Sequence, residues 1–317
     1  MAVSAYPLQR DSRHTRRPLR KLLLPAAFLL PATVIMLAFM FIPMVNTVIL
    51  SLQSWNGLTP ATWVGLGNYQ DLAQDPLFLN ALGHTALFVI VTVIFQTIIP
   101  LLVAVLLYSG LRSGGIRGGV VFRAIYFMPV IISLAVTGLL WSIIYDPVNG
   151  VLNTVLSDVG LQGLTRPWLA DAGTALPSIM VVSIWQSMGF YLVIFFAGLQ
   201  GIPRDMHEAA AIDGANAWQR FTRVTLPLLG PVITVVVVLN TINGIKAFDQ
   251  IWVMTAGGPM HASDTLGTYL YYSAFGAYGS SNPELGYASA IGVVILLLSV
   301  LITIGQIRLG RAEAIEY

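Results

Sequence analysis

Residues 77–111 read LFLNALGHTALFVIVTVIFQTIIPLLVAVLLYSGL, a stretch without Asp, Glu, Lys or Arg. Crossing about 30 Å of hydrocarbon takes roughly 20 helical residues, so the stretch exceeds the need of one membrane span. Its apolar character is continuous rather than alternating, which selects a helix over a barrel strand. Outward from it, the same absence of charge marks Leu22–Gln70, Ala124–Tyr145, Ala172–Pro203, Val224–Ile245 and Leu285–Ile307. Six transmembrane helices are therefore predicted, at roughly Leu22–Leu50, Ala81–Tyr108, Val120–Ile144, Leu176–Gln200, Leu228–Met254 and Tyr287–Ile307. The fold class that follows is an all-α membrane protein.

Composition points the same way. Of 317 residues, 56% are hydrophobic and 9% charged, where a soluble domain carries about 25% charged residues. The mean hydropathy is +0.78. A large soluble enzyme is excluded, and so is a disordered chain, which needs low hydrophobicity and high net charge. There is no cysteine, hence no disulfide, thiolate metal site or cysteine nucleophile. His14, His84, His207 and His261 are too scattered for ligand spacing, and no nucleic-acid partner is expected.

The charges that remain set the orientation. Arg10, Arg13, Arg16, Arg17, Arg20 and Lys21 crowd the first positions, beside Asp11 alone. The apolar run that follows is far longer than a signal-peptide core of about 7–15 residues, so it reads as a retained anchor. With that tail inside and the spans alternating, Arg112, Arg117, Arg123, Arg204, Arg220, Arg223, Arg308 and Arg311 also fall inside. Arg166 alone falls outside, and Lys246 lies within the fifth span. The positive-inside rule then places both termini in the cytoplasm. The organisation predicted is a basic cytoplasmic tail (1–21), a six-span domain (22–308) and a cytoplasmic C-terminal tail (309–317). The prolines of the spans, among them Pro43, Pro100, Pro129, Pro177 and Pro231, are ordinary kinks or hinge points.

Between the fourth and fifth spans the chain reads IPRDMHEAAAIDGANAWQRF, residues 202–221. Pro203 suits a first helical position. Asp205 and Glu208 favour the positive end of a helix dipole, and the alanines make a good helix of little bulk. Gly214 can end it in a left-handed conformation, and Asn216 can cap a second short helix. A helix–turn–helix at the cytoplasmic face is predicted. An interfacial helix resting on headgroups would want bulky apolar residues on one face. Ala209, Ala210 and Ala211 favour docking in another protein's groove instead.

Here the sequence resembles a known family. Glu208-Ala209-Ala210, then three residues, Gly214, nine residues and Val224-Thr225-Leu226-Pro227 is similar to the EAA loop of ABC-importer permeases. Further matches resemble the carbohydrate-uptake branch, the maltose- and glycerol-3-phosphate-type subunits: residues 63–69 (WVGLGNY), 122–129 (FRAIYFMP), 248–259 (FDQIWVMTAGGP) and 285–290 (LGYASA). The chain lacks the extra spans and external insertion of the maltose-type subunit. The resemblance implies that Glu208, Ala209, Ala210, Asp213 and Gly214 form a coupling helix, within a loop of residues 202–226, seated on a separate ATPase. It also implies a second permease subunit, two ATPase subunits that bind ATP and Mg, an external solute-binding protein, and a prokaryotic inner or plasma membrane. The chain itself is expected to need no cofactor and to catalyse no reaction.

Absent motifs suit a separate motor. No G-x-x-x-x-G-K-[ST] occurs, and Lys21 and Lys246 are the only lysines. His207-Glu208-Ala209-Ala210-Ala211 begins like a zinc-protease H-E-x-x-H but ends in alanine. Gly114–Gly119 reads as a flexible turn between spans, with no strand before it to make a phosphate cradle.

Polar residues inside a span are costly and default to function. The fifth span is densest, with Asn240, Asn243, Lys246, Asp249 and Gln250. Asn240, Asn243 and Gln250 can share a helical face. Lys246 and Asp249, three apart, are either a structural pair or part of a solute path. The fourth span offers Trp185, Gln186, Ser187 and Tyr191, which could equally serve packing or the interface. The resemblance puts Tyr191, Asn240 and Gly244 at sugar-contacting positions, with Gln186 nearby. The expected function is thus the permease subunit of an ATP-driven importer of sugars or related solutes, with the solute itself unspecified. Two alternatives remain. A membrane enzyme acting on lipid-linked sugar needs clustered carboxylates, but Asp146, Asp158 and Asp171 are spread out. An ion-coupled transporter needs acids buried in spans and internal repeats.

Overall fold

The structure, a computed structural model, describes residues 20–112, 126–276 and 283–312. The basic residues from Arg10 to Arg17, the turn Gly114–Gly119, Arg117, Arg123 and the last five residues lie outside these. Residues 1–49 and 50–317 form two separate compact units.

In the first unit the described part is a helical run: α1 (Arg20–Met36), a π-helical turn (Leu37–Phe41) and all but the last residue of α2 (Ile42–Leu50). In the second unit a two-residue antiparallel ladder, β1 (Gln53–Ser54) with β2 (Thr62–Trp63), pairs Gln53 with Trp63. Asn68 Nδ2 donates to the carbonyls of Ser51 at 2.8 Å and Gln53 at 3.0 Å, fixing this hairpin on α3 (Gly67–Gln74). Next come α4 (Pro76–Arg112), a helical stretch over 126–131, α5 (Leu134–Ile144), α6 (Val151–Asp158) and α7 (Ala175–Gln200). They are followed by α8 (Arg204–Ile212), α9 (Ala217–Arg220), a π-helical turn (Phe221–Thr225) and α10 (Leu226–Leu228). The chain ends with α11 (Gly230–Ile245), α12 (Asp249–Thr255), α13 (Leu266–Phe275) and α14 (Leu285–Ala312).

Among the described residues, four helices are long and apolar enough to cross a bilayer: Ala27–Leu50, Pro76–Tyr108, Ala175–Gln200 and Leu285–Gly310. Ala217–Leu228 with Gly230–Ile245, bent by 67°, makes a fifth if the pair is one span. Two predicted spans are interrupted. The described part of the third breaks at 132–133, where the Ser133 hydroxyl accepts from the Val136 amide and caps α5. The fifth, predicted as one helix over Leu228–Met254, ends at Ile245 and restarts at Asp249. Its far end and α13, a helix the charge pattern did not mark, complete a folded return toward α14.

Lipid tails are as apolar as leucine, so packing in a bilayer rests on close contact and on interhelical hydrogen bonds. The core shows both. Leu101, Ala104 and Leu107 of α4 meet Tyr191, Leu192, Phe195 and Leu199 of α7, with Leu229 and Val236 behind them. The helix over 126–131 lies so near α7 that a Cβ on Gly189 would clash with the Tyr126 carbonyl oxygen.

On the side expected to face outward, Asp75 ties three elements together. Its carboxylate accepts from the Tyr269 hydroxyl of α13 and, at 2.6 Å, from the Tyr287 hydroxyl of α14. Burial pushes this carboxyl up, but the two tyrosines and the Leu77 and Phe78 amides outweigh it and hold it below the ordinary 3.8. A depressed carboxylate stabilises the fold fully above its unfolded value and stops doing so as pH falls through the lower folded one.

Two outcomes are expected. The purified protein should lose thermal stability as pH drops below about 4, and Asp75→Asn should lower the melting temperature at neutral pH while flattening that acid slope; an unchanged slope removes the latch. Gly189→Ala should destabilise by about 1–3 kcal/mol through overpacking. Gly83→Ala, where an added Cβ meets nothing within 4 Å, should not, and thermal denaturation in detergent compares the two.

Candidate functional site: a polar cavity at two helix breaks

A cavity of about 470 Å³ opens between α4, α7, the Ile132 region and the α11–α12 break. Phe88, Thr92 and Gln96 of α4 reach it from one helical face, each a turn from the next. α7 contributes Ser183, Gln186, Ser187, Phe190 and Tyr191, spacings of three and four that again define a single face. The α11–α12 junction supplies Asn243, Gly244, Lys246, Phe248, Asp249 and Gln250.

Hydrogen bonds run between these elements. Gln96 Nε2 donates to Ser183 Oγ at 3.2 Å. Asn243 Nδ2 donates to the Tyr191 hydroxyl at 3.5 Å, leaving the tyrosine proton to donate elsewhere. Gln250 Nε2 donates to Gln186 Oε1 at 3.5 Å, and Gln186 Nε2 donates to the Ile132 carbonyl at 3.0 Å. Gln186 thus bonds a carbonyl freed at one break and receives a bond from Gln250, the second residue after the other.

Of the residues expected on a solute path, Gln186, Tyr191, Asn243, Gly244 and Lys246 come together in this wall. Asn240 does not. It is 1% exposed, and neither its Oδ1 nor its Nδ2 has a hydrogen-bond partner among the described residues. A continuous fifth helix was needed to align Asn240 with Gln250, and the break at 246–248 removes that alignment. Lys246 and Asp249 are both exposed. Trp185 stands away from the wall, its ring 5.5 Å from that of Trp141. Phe88, Thr92, Gln96, Ser183, Phe190 and Phe248 are lining residues that the sequence reading passed over. The four-residue step from Thr92 to Gln96 within an apolar span was the available signal. No group of three or more His, Cys, Asp or Glu side chains able to hold a metal occurs among the described residues.

The residues expected to couple to a motor stand elsewhere, on α8. No residue of α8 is buried. Glu208, Ala209, Asp213 and Gly214 are exposed and Ala210 half-buried. Pro203 precedes the helix instead of opening it, because its ψ of 137° is extended. Gly214 has φ +80°. Its N–H donates to the Ala211 carbonyl at 3.1 Å, and the Ala215 N–H donates to Ala210 at 2.9 Å. This is the paired bonding of a Schellman turn. Asn216 and Gln219 then form a reciprocal capping box that opens α9.

Comparison with known proteins gives this geometry a family. Over 90% of its length the chain is 37% identical to the probable ABC transporter permease protein YurN of Bacillus subtilis, covering 95% of that protein. It is 33% identical over 90% of its length to the multiple sugar-binding transport system permease protein MsmF of Streptococcus mutans, covering 94% of that protein. The crystal structure of a bacterial alginate ABC transporter with its pentasaccharide-bound periplasmic protein contains a chain of the same fold, with a TM-score of 0.78 at 23% identity, covering 93% of this chain and 96% of that one. Residues 100–312 match the family described as binding-protein-dependent transport system inner membrane component. The chain belongs to that family and is the membrane-embedded permease subunit of an ABC importer.

Proposed function

We propose that this permease carries a sugar or related solute through the cavity between α4, α7 and the α11–α12 break, and that a separate ATPase drives it by moving α8. The observation that carries the reading is that α11 joins two features: α8, a helix with no buried residue ended by a Schellman turn at Gly214, and a cavity wall of amides, hydroxyls and rings to which the α11–α12 junction contributes. Sugars take hydrogen bonds in their plane and stack on aromatic faces. The amides of Gln96, Asn243 and Gln250 and the rings of Phe88, Phe190 and Tyr191 offer both. The relative MsmF bears a sugar-transport name, which supports the solute class.

On this reading Glu208, Ala209, Ala210, Asp213 and Gly214 seat in a groove of the ATPase. Ile212 and Trp218, 86% and 69% exposed, give that surface apolar anchors. The complex consists of this chain, a second permease subunit, two ATPase subunits that hold ATP and Mg, and an external binding protein that delivers solute. On the six-span reading of the charge pattern, α8 lies in the cytoplasm and Asp75 outside. Closure of the ATPase pair swings the spans as rigid bodies between inward- and outward-open states.

Gly214 tests the coupling. A Cβ there meets nothing within 4 Å, but φ +80° disfavours any L side chain by about 1–2 kcal/mol. Gly214→Val should therefore insert normally yet lower solute uptake at least tenfold, with ATP hydrolysis no longer matched to transport. Uptake and ATPase activity of the reconstituted complex are the measurements, and unchanged uptake removes α8 from the drive.

A further inference from the structure

Between α5 and α7 the chain does not simply loop back. Asp146 Oδ1 accepts from the Val148 and Asn149 amides at 2.9 and 2.7 Å, a turn that leads directly into α6 (Val151–Asp158). Residues four apart share a helical face, and on α6 that face is apolar and uncovered. Val151, Val155 and, just past the helix, Val159 are 58%, 51% and 63% exposed, and Val148 before them is 81% exposed. Thr154 and Asp158 flank them and are exposed too. The opposite side of the helix is pinned. Asn153 is buried; its Oδ1 accepts from Trp168 Nε1 at 2.8 Å and its Nδ2 donates to the Arg166 carbonyl at 3.0 Å. The valines are thereby held outward.

Such a stripe needs a cover, since protein surfaces rarely keep a contiguous apolar patch in water. Three features of its surroundings point to lipid. Exposed apolar side chains run along the chain from Leu139 and Ile143 of α5 through Val148 into α6, so the stripe continues the apolar surface of a span. The rings of Trp141, Tyr145 and Trp168 gather at the joint, with successive centroids 5.2 and 6.2 Å apart, and Trp and Tyr collect where hydrocarbon meets headgroups. Protein interfaces are anchored mostly by Trp, Tyr and Arg and seldom by Val, and the stripe consists of valines. We infer that α6 lies flat in the bilayer interface, with Val151, Val155 and Val159 toward the acyl chains and Thr154 and Asp158 toward water, so that its partner is the lipid surface. Residues 145–165 contain no Lys or Arg. Its hold on the bilayer therefore comes from apolar contact and needs no anionic headgroup.

The chain has no cysteine, so single substitutions can be spin-labelled in the full complex once any partner cysteine is replaced. Val151→Cys, Val155→Cys, Thr154→Cys and Asp158→Cys are compared in phosphatidylcholine vesicles, with molecular oxygen as the lipid-phase collider and a nickel chelate as the aqueous one. The oxygen-to-nickel collision ratio at the two valine positions should exceed that at the Thr154 and Asp158 positions about fivefold. Adding phosphatidylglycerol should leave it unchanged. Nickel collisions that dominate at all four positions overturn the inference, because the helix then stands in water. Low rates for both colliders at the valine positions overturn it in favour of a protein cover. A cover that appears only when the external binding protein is added is that protein's docking face, and one present from the start belongs to another subunit of the complex. A ratio that rises only with phosphatidylglycerol also overturns it, since charge attraction would then hold the helix.

Discussion

A helix interrupted inside hydrocarbon frees backbone groups that lipid cannot bond, so other parts of the protein must bond them. Two of the interruptions among the described residues are held from a distant element. The Ile132 carbonyl takes the Gln186 amide of α7. The Ala247 carbonyl takes the Thr265 hydroxyl at 2.8 Å, from the residue that opens α13. Gln250 closes the circuit by donating to Gln186. The cavity lies where residues flanking both breaks meet α7, Val130 and Leu134 at one and Asn243 to Gln250 at the other. Irregular backbone at membrane depth is tolerated where it lines a polar cavity, and Lys246 and Asp249, unpaired among the described residues, occupy such a lining.

What the sequence reveals and what it conceals divide along the same line. Spans are legible because exclusion of charge is a property of each residue in turn, independent of its neighbours. The α8 turn is legible because Gly214 and Asn216 act locally, through one positive φ and one side-chain cap. The breaks are not. Ile131, Ile132 and Ser133 read as helix-compatible, and so do Lys246, Ala247 and Phe248. The helix stops there through bonds from residues 54 and 18 positions away, Gln186 and Thr265. Tertiary contacts of that kind leave no periodic trace. Asn240 shows the consequence, since a face shared with Gln250 assumed an unbroken helix.

A third feature concerns how little material joins the exposed helix to the cavity. After α8 and α9 the chain turns 67° into α11, whose end is the break that carries Lys246. At 1.5 Å per residue, α11 is a rod of about 24 Å. It meets its neighbours at sites where a glycine lets backbone approach. A Cβ on Gly198 of α7 would sit 2.9 Å from Val232 and 3.0 Å from Leu229, beside the bend. A Cβ on Gly244 would sit 3.0 Å from Val89 of α4, beside the break.

A rod held closely near each end and hydrogen-bonded throughout bends little, so a force on its near end is delivered at its far end as a shift or a rotation. The far end is where the backbone is already irregular, and where a change in ψ at one or two residues costs no helical hydrogen bond. On the proposed reading, motion applied at α8 appears as movement of Lys246 and Asp249 relative to Gln186, while α4 and α7, joined by their large shared core, move as one body. On the proposed reading, the feature that makes the cavity polar also makes it the most deformable point on the path from the motor. One interruption in one helix then both binds the solute and releases it.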